Sequence, residues 1–173
     1  IVQAYCAALH LFAESREARP NAQPYLRRAQ EGAAGATARE QRFIAAVAAW
    51  AEGDIARAIA LHQEQAQEHP RDLASLKLGQ YHAFNTGDCP GMLRLALAAL
   101  PASGDVPYVH GMAAFGYEQC HLMREAEQSA RRAIAMCRKE PWAHHALAHV
   151  MLTEGRLSEG LDFMQGVSDS WTG

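Results

Sequence analysis

The sequence predicts an all-α protein, a right-handed superhelical stack of antiparallel helical hairpins. Three observations carry this. Gly53, Gly87, His121 and Gly155 stand 34 residues apart, 53 to 87, 87 to 121 and 121 to 155, and each lies between two stretches with helical spacing of apolar residues. The text around them is alike: Glu52-Gly53-Asp54-Ile55, Thr86-Gly87-Asp88-Cys89, Cys120-His121-Leu122-Met123 and Glu154-Gly155-Arg156-Leu157. With each turn taken as position 15 of a unit, positions 8 and 20 are where two helical arms cross and small side chains are needed. Ala46/Ala58, Ala114/Ala126 and Ala148/Gly160 meet that need, while the second unit carries Gln80 and Met92 there.

The interval is that of the tetratricopeptide repeat, so the expected architecture is a TPR-like α-solenoid. Residues 1–36 read as an N-terminal helical pair, a degenerate repeat, with helices over 2–14 and 24–32. Four units follow: 37–72, 73–106 with a long loop, 107–140 and 141–173. Thr37-Ala-Arg-Glu40 is a capping-box pattern, which starts a helix by exchanging side-chain and backbone hydrogen bonds. His69-Pro70 and Leu100-Pro101 are expected to close second helices, because proline restricts the residue before it and lacks an N–H. Residues 101–107 then form the main internal loop, and Pro90 fits the first turn of a helix. Ile1 to Phe12 reads as mid-helix and the fourth unit has no capping helix after it, so the chain is expected to be truncated beyond that unit.

Composition narrows the function classes. The 173 residues are 49% apolar with a net charge of −3, enough for a sizeable core, and no apolar run approaches the roughly 20 residues of a membrane span. There is no basic block to draw nucleic acid or an anionic membrane, so neither is expected as a partner. Cys6, Cys89, Cys120 and Cys137 form no CxxC pair; free thiols in a reducing cytoplasm are the expectation.

Nine histidines are the chemical resource. His110, His144 and His62 fall at packing positions and read as structural; His69 ends a helix, where a cationic ring meets the dipole favourably; His121 replaces a turn glycine. His145 and His149 differ. They lie four apart on the first helix of the fourth unit and share the face that lines the groove of a helical-repeat stack, with Trp142 and Thr153 flanking them. The equivalent groove positions are Tyr108, Phe115, Glu118 and Gln119 in the third unit and Lys77, Tyr81, Phe84 and Asn85 in the second. Such a surface suits peptide binding. The sharper alternative is a site in which Glu118 pairs with His149 for acid/base chemistry, with Glu118, His145 and His149 as candidate catalytic residues. A zinc site of the metalloprotease type needs Glu after the first histidine of HxxxH, and Ala146 stands there, so neither a metal nor a cofactor is expected.

Tyr108-Val-His-Gly111-Met112-Ala-Ala-Phe115-Gly-Tyr-Glu118 and Trp142-Ala-His-His145-Ala-Leu-Ala-His149-Val150, followed by Gly155-Arg156 and Glu159-Gly160, resemble the tetratricopeptide repeat protein 38 family. Arg39 to Trp50-Ala-Glu-Gly53-Asp54, His69-Pro70-Arg71-Asp72 and Leu76-Lys77-Leu78 are similar too. The resemblance covers most of 37–173. It implies a cytoplasmic helical-repeat protein, with further Trp- and His-bearing helices beyond Trp171, and names no ligand. The leading expectation is therefore a binding or scaffold module that holds a peptide or partner protein in its concave groove. The alternative is an enzyme or small-ligand protein using the Glu/His site. Neither reading sets an oligomeric state.

Overall fold

A computed structural model describes residues 1–171, and all regular structure among them is helical. Thr172 and Gly173, the last two residues of the fourth expected unit, lie outside the described residues. The helices are α1 (Val2–Leu11), α2 (Ala18–Glu31), α3 (Ala38–Glu52), α4 (Ile55–Glu68), α5 (Leu73–Asn85), α6 (Cys89–Ser103), α7 (Pro107–Gln119), α8 (Met123–Met136), α9 (Pro141–Thr153) and α10 (Leu157–Val167). Short 3-10 turns occupy Ala33–Gly35 and Ser168–Trp171.

The four equally spaced turns all bend through the left-handed backbone region, with φ of +87° at Gly53, +75° at Gly87, +57° at His121 and +74° at Gly155. This region is open to glycine and disfavoured for a residue with a Cβ. His121 adopts it nevertheless, because the turn between α7 and α8 has the same shape as the others. The capping box at α3 is complete: the Thr37 hydroxyl accepts from the Glu40 N–H and the Glu40 carboxylate accepts from the Thr37 N–H. Asp54 and Asp88 cap α4 and α6 in the same way, accepting from the N–H groups of Arg57 and Gly91.

Three boundaries differ from the sequence expectation. α1 ends at Leu11 rather than at 14. α6 runs through Pro101 to Ser103, so the connection to α7 is three residues, Gly104-Asp105-Val106, rather than a long loop over 101–107. Pro101 sits in the last turn and forfeits a single bond, to the carbonyl of the exposed Leu97, which water can satisfy. α2 likewise starts at Ala18 instead of 24, because Pro20 falls in the first turn, where its missing N–H costs little; Pro24 lies inside the helix.

Contacts divide the chain into two compact units, residues 1–82 and residues 83 onward. In the first, α1 packs on α2 and α3 on α4, around Leu11, Leu26, Phe43, Ile44 and Val47 set among small alanines. A buried polar knot ties α3, α4 and the start of α5: Gln65 Nε2 donates to the Arg39 carbonyl at 3.0 Å and to Asp72 Oδ2 at 2.8 Å, and Arg42 donates to Gln65 Oε1 at 3.1 Å. In the second unit, α7 is central, packing on α6, α8 and α9. Ala114 and Ala126, at the crossing positions, are fully buried. α6 and α7 approach so closely that a Cβ on Gly116 would stand 3.0 Å from the Leu93 Cα.

Candidate functional site

α9 is the element that presents the candidate residues of the second unit. Its start is held by Glu140, whose carboxylate accepts from the Ala143 N–H at 2.9 Å. Glu140 is itself buried, and it fits there because Gly111 on α7 has no side chain: a Cβ would stand 2.1 Å from Glu140 Oε2. With the helix so placed, Ala143, Ala146, Leu147 and Val150 face the core, and the opposite stripe, Trp142, His145 and His149, faces outward.

That stripe continues into a row of rings. Phe84 is 5.5 Å from Phe115, Phe115 is 5.8 Å from Trp142 and 5.6 Å from His145, and the His145 and His149 rings lie 4.3 Å apart. At the end of the row, His149 Nδ1 is 3.3 Å from Glu118 Oε1. The other carboxylate oxygen, Oε2, accepts from Gln119 Nε2 at 2.7 Å. The Glu118 side chain is 10% exposed and that of His149 43%, so a nearly buried carboxylate holds a half-exposed ring. With a proton on Nδ1, His149 donates to Glu118 and leaves Nε2 for a ligand. The row can therefore offer flat apolar surface, an imidazole donor or acceptor, and a carboxylate at one edge.

The remaining sequence candidates are distributed more widely. Tyr108 is half-buried beside Glu140; burial first, and then the Glu140 charge, pushes its hydroxyl up to about 12. Asn85 and Thr153 are exposed at the ends of α5 and α9. Lys77 and Tyr81 belong to the first unit. There Tyr81 joins a separate ring group with Phe12, at 4.9 Å, and Trp50, at 5.7 Å, and its hydroxyl donates to Glu14. Among the described residues no three histidine, cysteine or carboxylate side chains converge as metal ligands would.

Of the histidines placed at packing positions, His62 and His144 are buried, while His110 is half-buried with its Nε2 3.0 Å from the Gly104 carbonyl. Glu140 and His82 lie outside the expectations from sequence. An acid directly before Pro141, itself a first-turn residue, is the signal that marks Glu140 as a cap. His82 carries no such signal, since its burial depends on what α5 packs against.

No family model matches the sequence. Among solved structures the chain is similar to MamA from Desulfovibrio magneticus RS-1, residues 41 to the end, with a TM-score of 0.68 over 95% of this chain and 94% of that one at 14% identity. It is also similar to MamA of strain MSR-1, with a TM-score of 0.62 at 16% identity over 98% and 97% of the two chains. MamA of strain AMB-1 gives 0.60 at 16% identity over 96% and 90%. At such identities the likeness is one of fold, and the fold is that of a TPR-like helical repeat.

Proposed function

We propose that this chain is a helical-repeat binding module that holds a peptide segment of a partner protein against the α7/α9 face of its second unit. The observation that supports this is the unbroken row from Phe84 through Phe115, Trp142 and His145 to His149, ending on Glu118. Aromatic surface beside a positioned imidazole and carboxylate gives apolar anchoring together with directional hydrogen bonds, the combination that peptide recognition uses. The resemblance to the tetratricopeptide repeat protein 38 family and the fold shared with MamA support a scaffold role, and the former implies a cytoplasmic setting. No helix among the described residues is long and apolar enough to cross a membrane.

A second reading takes Glu118 and His149 as an acid/base pair, which their 3.3 Å contact favours. The 43% exposure of His149 weighs against it, because acid/base catalysis gains most where water is excluded.

The test is selection of peptides from a displayed random library on the wild-type chain, followed by affinity measurement on the His145→Ala/His149→Ala double variant. Selected peptides are expected to bind the variant roughly tenfold or more weakly, the loss typical of central interface residues. Equal affinity for both proteins would remove the α9 face from the interface.

A further inference from the structure

The first unit holds a solvent-open pocket of about 440 Å³, formed by the turn between α1 and α2, the end of α3 with the turn that follows it, and Tyr81 of α5. That volume lies in the range that accommodates small ligands. Its lining carries two arginines that no carboxylate among the described residues neutralises, whereas other arginines of the chain are paired. Arg39 pairs with Asp72, Arg42 with Glu64 and Glu68, Arg138 with Asp169 and Arg156 with Glu127. Arg16 and Arg19 both line the pocket, and neither has a carboxylate within ion-pair distance among the described residues.

Arg19 is seated rather than loose. Its guanidinium lies over Gly53, with Nη2 3.0 Å from the point where a Cβ would stand. The glycine that makes the left-handed turn thus also leaves room for the arginine head. Glu14 is the one carboxylate of the lining, and it is already engaged, accepting from the Tyr81 hydroxyl. Its backbone is held at φ +47°, an uncommon conformation for a residue with a Cβ, and this sets the path of Ser15 and Arg16 next to it. Two guanidiniums against one carboxylate leave the lining at +1, in a chain whose net charge is −3. The lining thus carries the sign that draws an anion, opposite to that of the chain as a whole.

Trp50 and Tyr81 supply ring surface to the rest of the wall, beside Leu11, Ala18 and Ile55. Trp50 packs against Phe12 at 5.1 Å and against Tyr81 at 5.7 Å, so the rings brace one another. Guanidinium groups match carboxylate and phosphate oxygens in paired hydrogen bonds, and planar groups pack on aromatic walls. In an open pocket an anion by itself stays hydrated and screened, so the ring is needed as well as the charge.

We propose that this pocket binds a small carboxylate or phosphate ligand that carries a flat apolar ring, with Arg16 and Arg19 on the anionic group and Trp50 and Tyr81 against the ring. The proposal rests on a different unit and on different residues from the peptide surface, so either stands without the other.

The test is titration of the isotope-labelled full chain, followed by amide and indole NMR shifts, with phenyl phosphate and benzoate as probes. Inorganic phosphate and benzyl alcohol each lack one half of the chemistry and serve as controls. Saturable shifts are expected at residues 14–19, at Gly53 and at the Trp50 indole. Binding should be roughly tenfold weaker for either control and for the Arg16→Ala/Arg19→Ala double variant, as expected when charge-assisted hydrogen bonds are lost. Both arginines are exposed, so the variant's spectrum away from the pocket should superimpose on that of the wild type. Whether phenyl phosphate or benzoate binds more tightly identifies the anionic group. Failure of both probes to saturate, equal binding of benzyl alcohol, or unchanged binding by the double variant would overturn the proposal.

Discussion

In the first unit His62 and His82 lie with ring centroids 5.8 Å apart and are 1% and 2% exposed. In the second, His145 and His149 lie 4.3 Å apart on a helix surface, with the His149 side chain 43% exposed. The buried rings come from two helices, α4 and α5, and meet among Phe43, Trp50 and Tyr81. Burial lowers His62 to about 3, helped by the neighbouring His82 ring and opposed by Asp72, and lowers His82 to about 4. Both rings are thus neutral packing groups at ordinary pH, and His62 Nδ1 is 2.7 Å from the Ser75 hydroxyl. The exposed pair instead has one ring on a carboxylate and both within reach of a ligand. The same residue type becomes core or surface chemistry according to what the second helix covers.

The largest expected effect that sharpens this contrast is with pH. The unfolded chain takes up protons on these histidines near 6.5 and the folded chain only near 4 and 3, so the native state binds fewer protons. Their contribution is complete above about pH 6.5 and is lost as pH falls through the folded values, on the order of 5 kcal/mol by about pH 4. Urea midpoints measured from pH 7.5 downward should follow that decline, and should do so equally in the His145→Ala/His149→Ala variant. A stability that stayed flat to pH 4 would break the distinction between the pairs.

A smaller difference is expected within α9 itself. His144 is 1% exposed and its Nδ1 accepts from the Trp171 indole N–H at 3.1 Å. His144→Ala should therefore cost about 2–4 kcal/mol in thermal unfolding, through a cavity and a donor left without its acceptor. His149→Ala should change stability by less than about 0.5 kcal/mol. Equal losses would mean that the outward stripe is packed like the core.

The smallest effect concerns the turns. His121→Gly removes the Cβ from a backbone at φ +57° and should raise stability by roughly 0.5–1 kcal/mol, the relief of strain being partly offset by the freer unfolded chain. A measurable loss in the same unfolding experiment would show that the imidazole makes a compensating contact in the turn.

Much of the helical organisation is legible in the amino-acid order, because it depends on local chemistry. A Thr-x-x-Glu cap, small residues at three of the four crossings and a left-handed turn every 34 positions, glycine at three of the four, each act within one or two turns of helix. The end of α6 was less legible, since Pro101 as a helix stop depends on whether the forfeited carbonyl of Leu97 meets water. The candidate site divides along the same line. That His145 and His149 share a face with Trp142 follows from helical spacing alone. That Glu118 on α7 reaches His149, while Tyr108 on the same helix is set beside Glu140, depends on the approach of α7 and α9, which Gly111 and Glu140 permit.

The amino-acid order thus determined that the chain would fold as consecutive helical hairpins and which residues would lie on each helix face, since periodicity and turn chemistry are properties of the local chain. Tertiary structure alone decided which histidines are neutral core groups, that Arg16 and Arg19 line one pocket with the Trp50 and Tyr81 rings, and which carboxylates keep a partner. Those outcomes depend on burial and on distances between residues far apart in the chain, and both arise only when the helices pack.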